Sequence, residues 1–201
     1  LRKANRVGIV TGSGYDYIIE QCSELWHKNS NINPNRLTLF PCNGTQYYTW
    51  ENDKWQKIFS ASMEDELGED FRNLIQILLR LQSDFAQEET NSDVPLIGHF
   101  ISYRDSMLNW CPLGRDAAFS YRKDFIKKDK ERNIRKNLHE ALYKAMEEQG
   151  INNVTAALGG NTSIDIYPTG WDKSFALQHA VTGNAPWFVG DRCETGYLYV
   201  I

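Results

Sequence analysis

Val7-Gly8-Ile9-Val10 runs directly into Thr11-Gly12-Ser13-Gly14, and residues Tyr15 to Trp26 follow with a pattern that predicts a helix. A short apolar run, a turn of small residues and a helix are the strand, turn and helix of an open α/β sheet. Near the other end, Ala185 to Val189 reads as a second apolar strand, and Gly190-Asp191 sets a carboxylate just past its tip. Open α/β sheets carry their ligand chemistry at such strand ends. Between Val10 and residue 60, Phe40-Pro41-Cys42-Asn43-Gly44 is a turn signal, and Thr45 to Trp50 with Trp55 to Phe59 reads as a hairpin around Glu51-Asn52-Asp53-Lys54. The two ends of the chain thus read as parts of one α/β domain.

The middle of the chain has its own pattern. Leu67, Phe71, Leu74, Ile75, Leu78 and Phe85 recur at helical spacing and predict a helix from about Met63 to Phe85, with Ser62 and Asp65 as its capping pair. Leu96 to Tyr103 reads as a strand that Asp105-Ser106 turns toward Met107 to Trp110. A second helix is expected from about Asp129 to Gln149, stopped by Gly150, before strands at Val154 to Leu158 and Ser163 to Tyr167. The expected organisation is an α/β core at 1–57 and 167–201, interrupted by an inserted α/β cap at 58–166. No internal repeat is visible.

The chain has 201 residues with 22 basic and 26 acidic side chains, a formal charge of -4, so no global field draws it to a polyanion. Residues 122–136 hold eight basic and three acidic side chains, but without an aromatic platform the run reads as a solvated helix face, and no nucleic-acid partner is expected. With neither a long apolar stretch nor a secretion signal at its start, the sequence points to a cytoplasmic protein without a membrane partner. Cys22, Cys42, Cys111 and Cys193 are widely spaced and read as unpaired thiols, and His27, His99, His139 and His179 are equally dispersed. The tryptophans are assigned to packing.

Several residue groups carry possible chemistry, each beside a plainer reading. Thr11 to Gly14 can cradle a phosphate, with Ser13 as the useful hydroxyl, or can simply be a strand-to-helix turn. It lacks the Lys-Ser/Thr ending of a P-loop. Arg104, Arg115 and Arg122 can share a phosphate in a cleft or be ordinary surface arginines. Ser163 and Asp165 point the same way from one strand, where a hydroxyl and a carboxylate can grip sugar hydroxyls or merely face solvent. Lys173 offers a cation and Asp191 a hard oxygen ligand for magnesium, a combination compatible with phosphoryl transfer.

Taken in order, these segments resemble the eukaryotic-type phosphomannomutase family of the haloacid-dehalogenase superfamily. Val10-Thr11-Gly12-Ser13 is similar to its second motif, and Phe40-Pro41-Cys42-Asn43-Gly44 to its Phe-Pro-x-Asn-Gly turn. Ser102 to Asn109 and Cys111-Pro112-Leu113-Gly114-Arg115 resemble the cap segments that hold the sugar phosphate, with Arg122 as the next substrate-binding arginine. The strongest match is Gly159 to Lys173, which carries the sugar-contacting Ser163 and Asp165 and the motif-three Lys173. The resemblance implies a Rossmann-like core with an inserted cap, a cap-mediated homodimer, magnesium bound at Asp191, and a hexose 1,6-bisphosphate activator. It implies substrate binding by Arg104, Asn109, Arg115, Arg122, Ser163 and Asp165, and catalytic roles for Ser13 and Lys173. The implied reaction interconverts mannose 6-phosphate and mannose 1-phosphate through an aspartyl phosphate. The alternatives are a sugar-phosphate phosphatase and a noncatalytic sugar-phosphate-binding or assembly module. The family's nucleophile and acid/base residue are the two aspartates of an Asp-x-Asp-Gly-Thr motif that residues 1–201 do not contain. Either a longer protein supplies them, or the chain is a relative that does not catalyse.

Overall fold

A computed structural model of the chain describes residues 6–25 and 32–180. In chain order these form β1 (Val7–Val10), α1 (Tyr15–Gln21), β2 (Leu37–Phe40), β3 (Gln46–Glu51), β4 (Lys54–Ser60), α2 (Met63–Leu67), α3 (Glu69–Gln87), β5 (Ile101–Tyr103) and β6 (Leu108–Trp110). Then follow α4 (Phe119–Arg132), α5 (Ile134–Glu148), β7 (Val154–Gly159), β8 (Ser163–Pro168) and α6 (Leu177–Ala180). The expected strand at Ala185 to Val189, together with Asp191 and Cys193, lies outside the described residues.

The chain divides into two units, Leu1–Phe59 with Asp172–Ile201 and the inserted Ser60–Trp171. The division falls at 59/60 and 171/172 rather than at the expected 57/58 and 166/167. The cap extends past 166 because β8 continues to Pro168, still in register with Val154 of β7, and Thr169 donates to the Asn153 carbonyl.

In the first unit the sheet order is β1-β2-β3-β4. β1 is parallel to β2, with Val7 opposite Leu37 and Val10 opposite Phe40, whereas β3 is antiparallel to β2. Of the expected Rossmann-like core, the described residues show one parallel pair flanked by a hairpin. Asn52 and Asp53 form the hairpin turn with φ of 52° and 60°, the left-handed conformation that matches the twist of paired strands. Ile18 of α1 packs on Leu39 and Tyr48, and the Tyr15 and Tyr48 rings stack at 4.2 Å.

In the inserted unit the sheet order is β5-β6-β8-β7, antiparallel throughout. Register and alternation put Leu108, Trp110, Ile164 and Ile166 on one face, each 0% exposed. That face meets the helices: the Trp110 indole donates to Gln82 of α3 at 2.8 Å, and α3 buries Leu74, Ile77, Leu78, Leu81 and Phe85 at helical spacing. Asn109 and Asp165, directly opposite each other, occupy the other face.

Both expected long helices are broken. Gly68, at φ 55°, ends α2 and starts α3, although Ser62 caps α2 as expected by accepting from the Asp65 amide at 3.1 Å. The second begins earlier, at Phe119, and is interrupted by Asn133 in the left-handed conformation, φ 55° and ψ 36°. Periodicity does not register a single left-handed residue, since the apolar stripe resumes one turn later. Only Ile101–Tyr103 of the expected strand Leu96 to Tyr103 is a strand. The remainder is held irregularly: Ile97 donates to the Leu113 carbonyl, Cys111 to Phe100, and Arg115 to His99.

Candidate functional site

Apart from Arg104 and from Asp191, which lies outside the described residues, the predicted residues separate into two clusters, one in each unit. In the first unit, Cys42, Asn43 and Gly44 have φ of 50°, 63° and 92°, a left-handed run that folds the chain back beneath the turn after β1. Cys42 donates to the Ser13 carbonyl at 3.0 Å and Asn43 to the Thr11 carbonyl at 2.8 Å, so the turn grips both ends of Thr11-Gly12-Ser13. Thr11 also accepts from the Ser13 amide through its hydroxyl, the local role its chemistry suggested. On Gly44, a Cβ would lie 2.5 Å from the Ala176 Cβ and 2.6 Å from its backbone, so only glycine admits the Lys173–Ala176 turn. Asp172 caps that turn by accepting from the Ser174 amide at 2.8 Å, and Lys173 is exposed. Ser13 and Lys173 thus lie on two segments that both pack on Cys42–Gly44.

The second cluster centres on Asn109, which is 3% exposed. Its Nδ2 donates to Ser163 Oγ at 2.9 Å and to Asp165 Oδ1 at 2.5 Å, while its Oδ1 accepts from Arg115 Nη1 at 2.5 Å. Every polar atom of the buried amide is therefore used, and it fixes a carboxylate, a hydroxyl and a guanidinium at once. Arg122 is drawn in by three bonds: Nε to the Ala117 carbonyl at 3.1 Å, Nη1 to Thr162 Oγ1 at 3.0 Å and Nη2 to the Arg115 carbonyl at 2.5 Å. Beneath the two guanidiniums, burial pushes the Cys111 thiol upward, against an opposing pull from Thr162, Arg122 and Arg115. Cys111 is thus a neutral donor toward Thr162 at 3.9 Å.

The loop carrying Arg115 is seated by Gly114, at φ 93°, where a Cβ would fall 1.8 Å from the Ile97 carbonyl oxygen. Arg104 stands one residue beyond β5 in the turn to β6, its amide donating to the Met107 carbonyl at 2.9 Å. Asn109, Arg115, Arg122, Ser163 and Asp165 therefore share one hydrogen-bonded cluster. Two adjacent guanidiniums can donate charge-assisted hydrogen bonds to one oxyanion.

The full-length pattern of these motifs has a counterpart in known proteins. Residues 1–199 match the family model for eukaryotic phosphomannomutase.

The chain belongs to the eukaryotic phosphomannomutase family.

It is 32% identical over 181 residues to the phosphomannomutase of Schizosaccharomyces pombe, covering 89% of this chain and 64% of that protein. It is also 32% identical over 200 residues to the phosphomannomutase of Saccharomyces cerevisiae, covering 98% and 71%. The chain thus spans about two thirds of the length of these relatives. Among solved structures, an IMP-nucleotidase from Plasmodium falciparum superposes with a TM-score of 0.51 at 9% identity, over 88% of this chain and 41% of that one. At that identity the likeness concerns the α/β fold alone.

Family membership is consistent with a magnesium-dependent reaction. Among the described residues no three His, Cys, Asp or Glu side chains converge as cation ligands, and Asp191 lies outside them. The described part does not by itself make a magnesium site. No described helix is long and apolar enough to cross a membrane. Residue patterns alone missed Thr162, which carries no motif signal beyond its place in a polar turn and whose partner Arg122 is 40 positions away.

Proposed function

We propose that the protein interconverts mannose 6-phosphate and mannose 1-phosphate, with the cap cluster as its hexose-phosphate site. The observation that carries this reading is the Asn109 network, in which one buried amide orders Arg115, Ser163 and Asp165 together. Arg115 and Arg122 would hold the phosphate of the bound sugar, with Arg104 as a third cation. Asp165 and Ser163 would accept hydrogen bonds from its hydroxyls, the Ser163 hydrogen being committed to the Gly159 carbonyl. In the core unit, Ser13 would donate a hydrogen bond to the phosphoryl group in transfer and Lys173 would offset its charge. The acceptor in the family is the first-motif aspartate, which has no counterpart within residues 1–201. Magnesium, with Asp191 among its ligands, would supply further charge neutralisation when bound, and a hexose 1,6-bisphosphate would prime the cycle. A cap-mediated homodimer belongs to the same reading.

The test follows mannose 6-phosphate and inorganic phosphate together while the full-length protein acts on mannose 1-phosphate with magnesium and catalytic hexose 1,6-bisphosphate. Mannose 6-phosphate in excess of released phosphate supports the mutase. Phosphate alone assigns a sugar-phosphate phosphatase, and binding without turnover assigns a noncatalytic module. Arg115→Met and Arg122→Met are each expected to weaken hexose-phosphate binding about tenfold or more, because each removes a charge-assisted bond. Unchanged binding after replacing Arg104, Arg115 and Arg122 together would refute the site.

A further inference from the structure

The charge run at 122–136 reads as a solvated helix face, yet one pair within it is largely withdrawn from solvent. The Arg135 side chain is 12% exposed and that of its partner Asp129 is 11% exposed. The two are six residues apart, a separation that would not bring them together on a continuous helix. The left-handed Asn133 between α4 and α5 makes the meeting possible: Asp129 Oδ1 accepts from the Arg135 amide at 2.7 Å, and Oδ2 accepts from Nε at 2.7 Å. The other side of the guanidinium faces the β7–β8 turn, where Nη1 donates to the Gly160 carbonyl at 3.2 Å and to the Ser163 carbonyl at 3.3 Å.

Those carbonyls bracket the residues that serve the Asn109 cluster. Thr162 Oγ1 takes the bond from Arg122, and Ser163 Oγ takes the bond from Asn109. The turn itself, Gly159-Gly160-Asn161-Thr162, has little intrinsic stiffness, with Gly160 at φ 51°. An ion pair largely withdrawn from solvent adds little net stability, since desolvation offsets its attraction. Its geometric effect is large, because a planar guanidinium held on one edge by a carboxylate presents its remaining donors in a fixed direction. We infer that Arg135, oriented by Asp129, is a positioning residue that sets the Gly160–Ser163 turn and thereby places Thr162 and Ser163 for Arg122 and Asn109. Its consequence for hexose-phosphate binding rests on the function proposed above.

The experiment uses the full-length protein with Arg135→Lys, Asp129→Asn and a control truncation in the α3 core, Ile77→Val. Three quantities are read: the melting temperature, the dissociation constant for mannose 6-phosphate, and the Asn109 side-chain amide signals in a nitrogen–proton correlation spectrum. Lysine keeps the charge but cannot span a carboxylate and two carbonyls, so Arg135→Lys is expected to raise the dissociation constant about tenfold and to shift the Asn109 side-chain amide. Asp129→Asn is expected to do the same to a lesser degree, and it decides the matter if Arg135→Lys is too unstable to purify. Ile77→Val should lower the melting temperature and leave both other readouts unchanged. Lower melting temperatures with an unshifted Asn109 amide and unchanged affinity would overturn the inference, reducing Arg135 to a structural ion pair. If the unsubstituted protein binds no mannose 6-phosphate, the hexose-phosphate reading fails, and the Asn109 amide alone decides for or against Arg135.

Discussion

At Gly159 a single methyl group tests how tightly the cap cluster is built. This glycine is paired with Ser163 across the hairpin, and a Cβ placed on it would lie 2.5 Å from both Cγ and Oδ2 of Asp165. The obstacle is a side chain rather than backbone, so Gly159→Ala is expected to fold and to push the Asp165 carboxylate away from Asn109. The lost bond is the 2.5 Å contact from Asn109 Nδ2. Hexose-phosphate affinity should fall about tenfold or more because Asp165 would no longer be held where it can accept from the sugar, and the lost intramolecular bond should also lower the melting temperature by a few degrees. Calorimetric titration beside a thermal melt checks this; full affinity in Gly159→Ala would remove Asp165 from the site. Gly44 and Gly114 differ, because at each a Cβ would meet backbone atoms and the residue also has positive φ. Those two glycines concern folding, whereas Gly159 concerns the orientation of one carboxylate.

Among the elements, α4 carries an electrostatic tie as well as site residues. Asp93, in the segment after α3, lies 3.2 Å from Lys128 and 3.1 Å from Arg132, and Arg132 also donates to the Thr90 carbonyl. Hydrogen bonds from Arg132 and then from Lys128 hold the Asp93 carboxyl below the usual carboxylate range. A depressed folded-state pKa means that the contribution is complete above the unfolded value, near pH 4, and disappears as pH falls through the folded value. The Val94 amide, which donates to the Asn91 carbonyl, reports on this segment. Its hydrogen-exchange protection, corrected for intrinsic rate, is expected to be constant from pH 7 to about pH 5 and to decline below about pH 4. In Asp93→Asn that decline should be absent, and an unchanged acid profile would show that other carboxylates govern the segment. At the opposite edge of the cap sheet, Tyr143 of α5 closes part of the outer strand β7: its hydroxyl accepts from the Ala156 amide at 3.0 Å and donates to the Ala156 carbonyl at 3.3 Å. Backbone groups that would otherwise offer a pairing edge are thereby used internally.

For the molecule as a whole, the Asn109 cluster lies entirely within Ser60–Trp171, a continuous segment with its own sheet, helices and core. That segment expressed alone is expected to unfold cooperatively and to keep the Asn109 side-chain amide signals of the full-length protein; a fragment with a collapsed amide spectrum would show that it needs the rest of the chain. Much of this organisation was legible in the residues: β1 and its small-residue turn, the hairpin around Asn52-Asp53, the cap of α2, and the shared direction of Ser163 and Asp165. These are local consequences of periodicity, turn chemistry and alternation, and a short window contains their causes. The breaks at Gly68 and Asn133 were missed because one left-handed residue leaves the apolar stripe on either side intact. The site was legible as separate residues, not as a network. Asn109 and Asp165 are 56 positions apart, and Arg122 and Thr162 are 40 apart. Residue types and their order by themselves determined most of the elements, the family and the candidate site residues. Only the tertiary structure decided that Asn109 joins three of those residues, that Gly159 leaves room for Asp165 and that Arg135 meets Asp129, because such contacts exist only once strand register and helix breaks have brought distant segments within hydrogen-bond reach.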